Sequence, residues 1–253
     1  MRIIISPAKK MNEDTDSLNY IGLPVFLDRT EKLLERLRSM SREELKKLWK
    51  CNDKIADLNI ERLEGMNLNE RLTPAILAYE GIQYQYMAPG VFSRAEFDYV
   101  QEHLRILSGF YGILSPFDGV VPYRLEMQAK LSADGAKDLY GFWGESLAKR
   151  LFSETDCILN LASKEYSTCV SKYLSPDIRL ITCVFGEAEN GKIIEKGTMC
   201  KMARGEMVRF MAENGIENIG EIRRFDRLDY AYAPEHSDDD TYVFIRRKDK
   251  ENE

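Results

Sequence analysis

Short runs of β-branched and aromatic residues, bounded by Gly, Pro or Asn, recur from one end of the chain to the other. Runs of this length and composition are typical of buried strands. Strands are therefore expected throughout the sequence rather than in one block. The runs predict strands at residues 2–5, 104–107, 157–161, 179–185, 192–195 and 242–246.

Between these runs, apolar residues recur at intervals of three and four, which is the period of an amphipathic helix. One such face is formed by Phe26, Thr30, Leu33, Leu34 and Leu37. Ser41 and Glu44 have the spacing of a capping box, which predicts the start of the next helix before Leu45. Further helices are predicted at 74–79, from the N-cap Ser93 to 103, and at 137–152, 163–173 and 198–214.

Strands and helices interleave along the chain, which predicts an α/β fold. The first strand is followed by roughly a hundred mostly helical residues, so the regular βαβ spacing of a doubly wound sheet is missing. No repeat or low-complexity linker divides the sequence. We therefore expect a single compact domain over residues 1–253, with a mixed β-sheet surrounded by helices in an unusual topology and a flexible tail at 247–253.

The composition argues against disorder and against a membrane protein. Hydrophobic residues make up 44% of the chain, and 36 Lys and Arg against 42 Asp and Glu give a net charge of −6. No apolar run approaches the roughly 20 residues that a membrane-spanning helix needs, and the opening MRIIISPAKK lacks the pattern of a signal peptide. We expect no membrane partner.

Cysteine usage favours a reducing cytoplasm, because the five cysteines are odd in number and form no CxxC pair. With only His103 and His236 as histidines, a zinc site of ordinary composition is not expected. The chain also lacks the GxSxG, HExxH, GxxxxGK[ST] and GxGxxG patterns of common enzymes. We therefore predict no metal and no cofactor.

Polar residues instead follow the predicted strands, and such positions commonly lie at the mouth of a cleft. Ser6 and Lys9 come directly after the first strand. Gly109 and Gly112 follow the second, where they permit a positive φ or a close backbone approach. Gly205, inside a predicted helix, also indicates that something approaches the backbone closely. An ordinary strand exit or turn is the plainer alternative for the first two places.

Strand and helix periodicities each predict that two charged residues lie on one face. Alternation in an extended segment at 121–127 puts Arg124 and Glu126 on one face, where Arg124 can fork onto a carboxylate or phosphate while Glu126 orients it. Lys201 and Arg204 are three residues apart on a predicted helix, so they point the same way. A solvated charged face is the alternative for the second pair.

A further group lies where a buried strand runs into a helix. Asn160 ends the strand, and Ser163 caps a helix whose first turn carries Lys164 and Glu165. The free N–H groups of a helix amino terminus attract anions. Plain capping explains Ser163, but it does not explain Asn160 and Glu165 together.

The acidic total conceals a local basic segment. Between Arg29 and Lys54, nine basic and five acidic residues give +4, so the rest of the chain carries −10. Phosphate contacts act only over about a Debye length, roughly 10 Å at 0.1 M salt, so local positive charge is enough to bind nucleic acid. A solvated helix face is again the alternative.

Six blocks, in order along nearly the whole chain, resemble the bacterial YaaA family, the peroxide stress response proteins. Six ordered blocks are far more specific than any single motif. They are SPAK at 6–9, LSGFYGILSPFD at 107–118, PYRLEM at 122–127, FWG at 142–144, NLASKEY at 160–166 and KMARG at 201–205.

The resemblance implies a cytosolic protein of the hydrogen peroxide response that binds DNA directly. It also implies that the protein limits unincorporated iron and thereby reduces oxidative damage to DNA and protein. The family fold is an unusual α/β arrangement with a positively charged cleft and a helix-hairpin-helix element, which would grip the DNA backbone with little sequence specificity. No stable protein partner is predicted.

From the resembling blocks we assign residues to the cleft. Its basic members are Lys9, Arg124, Lys164, Lys201 and Arg204, and its polar supports are Ser6, Glu126, Asn160 and Glu165.

The helix-hairpin-helix is placed at 42–66, with its turn within 52–59, and it overlaps the basic segment. The family's turn carries a glycine, whereas Asp57 stands in the matching stretch here. An acidic residue there repels phosphate and lacks glycine's backbone freedom, so binding through this hairpin is disfavoured. Its candidate backbone-binding residues are Arg42, Lys46, Lys47, Lys50 and Lys54.

Two other functions stay open at this point. Three lysines, two arginines and two carboxylates in one cleft also suit an enzyme acting on a small anionic, phosphorylated or nucleotide-like substrate, with Lys9 or Glu126 as acid or base. Direct iron sequestration needs clustered ligands, which only residues 235–240 offer together, and a mobile acidic loop explains that segment more simply.

Overall fold

A computed structural model describes residues 1–247 and places twelve strands in them. All six strands predicted from the sequence are present, together with several of two or three residues. The strands are β1 (Arg2–Ile5), β2 (Lys10–Met11), β3 (Thr73–Pro74), β4 (Tyr79–Glu80), β5 (Leu104–Ser108), β6 (Gly112–Leu114), β7 (Gly119–Val120), β8 (Cys157–Leu161), β9 (Arg179–Glu189), β10 (Lys192–Ile194), β11 (Tyr230–Tyr232) and β12 (Thr241–Arg246).

Ten α-helices accompany the strands in the described part of the chain. The capping box of Ser41 and Glu44 is formed as predicted, and Ser93 forms a second one with Glu96. The helices are α1 (Leu27–Arg38), α2 (Arg42–Trp49), α3 (Asp53–Glu64), α4 (Ala75–Ala78), α5 (Ile82–Met87), α6 (Arg94–His103), α7 (Leu139–Trp143), α8 (Ser146–Phe152), α9 (Lys164–Ser171) and α10 (Gly197–Glu213).

The main sheet is mixed, as the sequence predicted, with the strand order β11-β12-β9-β8-β1-β5-β6 and β10 paired to β9. Strands β5, β1, β8, β9 and β12 run parallel to their neighbours in this row. The outer strands β6 and β11, and also β10, pair antiparallel. The α/β class and the mixed main sheet are therefore confirmed.

Strand β1 lies between two parallel neighbours, which suits side chains that are apolar on both faces. Ile3, Ile4 and Ile5 are fully buried, and Ile3 lies opposite Leu104 of β5 on one side and Leu159 of β8 on the other. The chain reaches β5 first and crosses to the other side of β1 only later, at β8. In parallel sheets, ligands bind beside the carboxyl ends of strands at such a reversal of order.

The structure corrects one predicted helix. The segment 137–152 is two helices, α7 and α8, rather than one. The break falls at Gly144, whose φ of 53° is one that other residues rarely adopt and that ends α7.

The expected helix-hairpin-helix is not confirmed. Helices α2 and α3 do follow each other, but the connection is residues 50–52, before the predicted turn at 52–59. Asn52 caps α3 by accepting a hydrogen bond from the Ile55 N–H at 2.9 Å, so most of the predicted turn is helix. Asp57 therefore lies within α3 and not in a turn.

Two further expectations concern a membrane-spanning helix and the C-terminal tail. No helix within residues 1–247 has the length and apolar character to cross a bilayer. The predicted flexible tail at 247–253 lies, apart from Arg247, outside the described residues.

The five cysteines are all free thiols rather than disulfides. Cys169, Cys183 and Cys200 are buried in the core, while Cys51 and Cys157 are partly buried.

Helices α5 and α10 pack closely because α10 presents a glycine to α5. A Cβ at Gly205 would overlap the carbonyl oxygen of Gln83 and lie 2.9 Å from the Met87 nitrogen. The predicted close approach at Gly205 is therefore confirmed, and the approaching element is the backbone of α5. This contact brings the first turn of α5 alongside the side chains of α10 that precede Gly205.

We predict that Gly205→Ala lowers the free energy of unfolding by about 1–3 kcal/mol, because the added methyl group forces the two helices apart. Urea denaturation measures the loss. The matched control is Gly197→Ala in the first turn of the same helix, where an added Cβ meets nothing within 4 Å. Equal effects of the two substitutions would contradict the close approach.

Candidate functional site

A cleft of about 420 Å³ opens at the carboxyl ends of β1 and β8. The chain after β1, the start of α5, the extended segment 123–126, the start of α9 and one face of α10 form its walls. Its lining residues are Ser6, Pro7, Ala8, Lys9, Lys10, Glu80, Gly81, Ile82, Gln83, Tyr84, Tyr123, Arg124, Leu125, Glu126, Ser163, Glu165, Tyr166, Lys201 and Arg204.

The structure brings seven of the nine residues assigned to the cleft into this one space. They come from four separate parts of the chain, so the convergence expected from strand ends and helix faces is present. The seven are Ser6, Lys9, Arg124, Glu126, Glu165, Lys201 and Arg204.

Asn160 and Lys164 do not line the cleft. Asn160 is buried behind it, where its Nδ2 donates to Thr182 Oγ1 at 3.2 Å and its Oδ1 accepts from the Ala162 N–H at 2.9 Å. It therefore joins β8 to β9 and shapes the exit from β8. The side chain of Lys164 is exposed, on a different side of α9 from Glu165.

Ser6 connects the end of β1 to the start of α9. Its Oγ accepts a hydrogen bond from the Ser163 N–H at 2.9 Å and lies 3.2 Å from Ser163 Oγ. Ser163 occupies the N-cap position as predicted, but its own side chain makes no capping bond. The hydroxyl of Tyr84 donates to the Ser6 carbonyl at 3.0 Å, which ties α5 to the same point.

The alternation predicted for 121–127 is present, although the segment is extended chain without a strand partner. Tyr123 and Leu125 are buried, whereas Arg124 and Glu126 are partly exposed and face the cleft. Gly109 makes this course possible, because a Cβ there would lie 2.5 Å from the Leu125 carbonyl oxygen. Gly112 has a φ of 78°, which confirms the positive φ predicted as one possibility for it.

Tyr123 anchors the segment beneath the cleft. Its hydroxyl lies 2.8 Å from the hydroxyl of Tyr79 and 2.6 Å from that of Ser108, all of them buried. Burial raises the pKa of Tyr123 to about 12, so the hydroxyl stays neutral and available for hydrogen bonding at physiological pH.

Glu126 lies between two cations. Its Oε2 is 3.2 Å from Lys9 Nζ, and its Oε1 is 3.6 Å from Arg124 Nη2. The buried Oε1 has no hydrogen-bond partner in the described chain, and neither does the buried Nε of Arg124. Buried polar atoms are nearly always hydrogen-bonded in folded proteins, so atoms left open in a cleft mark positions for a ligand or ordered water.

Helix α10 contributes two further cations to the cleft, Lys201 and Arg204. Arg204 Nη2 lies 3.6 Å from Glu195 Oε1, while its buried Nε also lacks a hydrogen-bond partner. Lys201 is exposed and forms no ion pair with any residue from 1 to 247. Both side chains project from the same face of α10, as their spacing predicted.

The cleft carries a net positive charge. Five of its lining side chains are basic and three are acidic, which gives +2. This local charge opposes the chain's overall −6. The eight charged residues are Lys9, Lys10, Arg124, Lys201 and Arg204 with Glu80, Glu126 and Glu165.

Glu165 is the carboxyl group of the cleft whose pKa is raised. Burial raises its pKa above the usual value, and the nearby charge of Glu126 raises it further. The Gln128 N–H, which donates to Glu165 Oε1 at 3.1 Å, and the charge of Lys9 act in the opposite direction. This raised pKa makes Glu165 a candidate for holding or releasing a proton in the cleft.

Chemically, the arrangement suits an anion. No lining residue is a histidine or cysteine, and no group of three or more potential metal ligands occurs within residues 1–247. Arg124, Arg204 and Lys201 supply charge-assisted donors that match phosphate or carboxylate oxygens.

Sequence reasoning missed one charged pair of the cleft. Lys10 of β2 lies 2.6 Å from Glu80 of β4, and the two strands form their own small antiparallel sheet. Two-residue strands carry no periodicity, so no local signal predicts a pairing across 70 positions. Gln83 and the tyrosines of α5 were missed because that helix has only six residues.

The basic segment at α2 and α3 is partly neutralised. Arg42 lies 2.9 Å from Asp53 and 2.7 Å from Asp57, and Lys46 lies 2.8 Å from Asp53. The remaining candidates, Lys47, Lys50 and Lys54, are exposed and have no ion-pair partner in the described chain.

Comparisons with known proteins agree along nearly the full length. A family model described as "Peroxide stress protein YaaA" matches residues 1–236. A UPF0246 protein of Lachnoclostridium phytofermentans is 58% identical over 246 residues, covering 97% of this chain and 96% of the relative. A UPF0246 protein of Agathobacter rectalis is 58% identical over 247 residues, covering 98% and 99%. One of Desulfitobacterium hafniense is 56% identical over 246 residues, covering 97% and 98%.

We predict that two substitutions move the pKa of Glu165 in opposite directions. Glu126→Gln removes a neighbouring negative charge and lowers it, whereas Lys9→Met removes a positive charge and raises it. Carboxyl ¹³C chemical shifts across a pH titration report both changes.

The raised pKa of Glu165 also determines how the free energy of unfolding changes with pH. Because the native pKa of Glu165 is raised, its contribution to the free energy of unfolding is full below the unfolded pKa and is lost as pH rises through the native pKa. Glu165→Gln should remove that part of the pH dependence. Glu70→Gln, in a separate cavity, is the control, and an unchanged profile in Glu165→Gln would contradict the assignment.

Proposed function

Because the chain belongs to the peroxide stress protein YaaA family, we propose that it is a cytoplasmic DNA-binding protein of the hydrogen peroxide response. In this proposal the cleft binds backbone phosphate. By this route the protein limits unincorporated iron and protects DNA and protein from oxidative damage.

The observation that carries the proposal is the set of cationic donors in the cleft. Arg124 and Lys201 come from two different elements of the chain, and the buried Nε atoms of Arg124 and Arg204 have no hydrogen-bond partner within residues 1–247. Guanidinium groups with open donors form short, strong hydrogen bonds to phosphate oxygens. A phosphate in the cleft would satisfy atoms that the protein itself leaves open.

The charge distribution also supports DNA as the partner. The chain is acidic overall, but the +2 of the cleft lies within about one Debye length of anything bound there, roughly 10 Å at 0.1 M salt. Contacts to phosphate position a protein on DNA without reading sequence, so little sequence specificity is expected. Lys47, Lys50 and Lys54 are exposed and supply a second basic surface.

The proposed limitation of iron is indirect. In the described chain no three His, Cys, Asp or Glu side chains are grouped to hold a metal ion. Residues 235–240, the one segment with clustered candidate ligands, place Glu235 beside His236 at 3.9 Å. We therefore assign the effect on iron to what the protein binds, and the free thiols support a reducing, cytoplasmic location.

One observation favours a second candidate, an enzyme acting on a small phosphorylated or nucleotide-like substrate. Glu126 has a buried oxygen without a hydrogen-bond partner, and the pKa of Glu165 is raised in the same cleft. A carboxyl group with a shifted pKa beside arginines that bind an anion is an arrangement that general acid and base catalysis uses. In this reading Glu165 transfers the proton and Arg124 holds the substrate anion.

We predict that DNA binding depends on the cleft and on salt. Arg124→Glu should weaken binding to a fluorescein-labelled duplex by about tenfold or more, because it reverses a charge at the phosphate site. Lys201→Gln, at an exposed position, should reduce the slope of log K against log salt by about 0.9, the value for one lost phosphate contact. Fluorescence anisotropy at several salt concentrations measures both.

The control is a Lys46→Glu and Lys47→Glu double variant in α2. Loss of binding in this variant alone would move DNA to the helical segment. If wild type binds no duplex, single-stranded or bubbled DNA at low salt, the DNA proposal fails, and the enzyme candidate is tested next with small phosphorylated compounds and nucleotides.

A further inference from the structure

The cleft takes only a small part of the DNA that the proposed function assigns to the protein. Its volume of about 420 Å³ is that of a small-molecule pocket. A duplex would therefore contact it through backbone phosphates at its rim. Pockets from about 300 Å³ upward enclose small molecules, and a single nucleotide unit is of that size.

The interior of the cleft differs from its rim. Lys9 is largely exposed, with 64% of its side chain accessible, and Lys201 is exposed as well, so both are available at the mouth. Apolar groups also line the cleft, namely Ala8, Ile82 and the buried rings of Tyr84 and Tyr166. A surface that grips only backbone phosphate has no use for an apolar recess, whereas the faces of a base do.

The charged residues of the cleft include polar atoms without hydrogen bonds. The buried Oε1 of Glu126 is an acceptor without a hydrogen-bond partner in the described chain, and the buried Nε atoms of Arg124 and Arg204 are donors without one. A nucleotide carries both complements, because its phosphate oxygens accept hydrogen bonds and the amino and imino groups of its base donate them. An inorganic phosphate would leave the acceptor and the apolar walls unused.

We propose that the cleft holds one nucleotide unit, with the phosphate at Arg124, Lys201 and Arg204 and the base in the recess between Ile82 and Tyr166. The nucleotide is either one that has left the base stack of bound DNA or a free nucleoside monophosphate, since both have the same chemistry. Binding of a nucleotide from DNA rests on the proposed function, whereas binding of a free nucleoside monophosphate rests on the cleft alone.

The test uses two readouts on the full-length protein. A duplex containing 2-aminopurine opposite a mismatch reports unstacking, because the fluorescence of this base rises severalfold when it leaves the stack. Isothermal titration calorimetry with the four 5′-deoxynucleoside monophosphates measures binding of the free unit. Anisotropy of the same duplex measures DNA binding independently of either.

The matched variants are Ile82→Trp and Val91→Trp. Ile82→Trp fills the recess without changing charge, so it should abolish the fluorescence rise and weaken mononucleotide binding at least tenfold. Val91 is 70% exposed and lies outside the cleft, so Val91→Trp should behave as wild type. Circular dichroism confirms that both variants are folded.

The outcomes separate this inference from the proposed function. DNA binding with neither a fluorescence rise nor mononucleotide binding by wild type would overturn the nucleotide site and leave DNA binding intact. Mononucleotide binding that Ile82→Trp abolishes, without DNA binding, would support the site and overturn the DNA function. An Ile82→Trp variant that matches wild type in both readouts would place the nucleotide elsewhere and overturn the inference.

Discussion

The whole site depends on the parallel hydrogen bonding of β1 to strands on both sides. Ile3, Ile4 and Ile5 are buried on both faces of the sheet, which fixes β1 between β5 and β8 and leaves no freedom in its direction. Its carboxyl end therefore coincides with that of β8. Ser6 and Ser163, 157 positions apart in sequence, meet at this edge and join the two loops that form the floor of the cleft.

Two glycines convert this edge into an enclosed space. Gly109 lets the extended segment pass directly over the end of β5, and Gly205 lets α5 lie against α10. Each contact is backbone against backbone, so the walls are set by the chain itself rather than by side chains that can change rotamer. The charged groups project from these rigid walls, which keeps donors and acceptors at fixed separations before any ligand arrives.

Much of the fold and site could be predicted from the sequence where a regular period exists. Alternation placed Arg124 and Glu126 on the cleft face, and a three-residue spacing placed Lys201 with Arg204. Lys164 lies outside the cleft lining because neighbouring residues of a helix point about 100° apart, and it is Glu165 that faces inward. Asn160 lies behind the cleft, where its side chain bonds to the turn after its own strand. The pairing of Lys10 with Glu80 depends on tertiary register, which two-residue strands do not encode.

The buried thiols have a consequence for a chain from a peroxide stress family. Peroxide attacks the thiolate, and burial raises the pKa of Cys169 to about 12 and that of Cys200 to about 11. The pKa of Cys183 is raised as well, by burial in the same core. At neutral pH these three sulfurs are almost entirely protonated and closed to solvent. These three thiols therefore lack the two properties, a low pKa and exposure, that make a cysteine reactive towards peroxide.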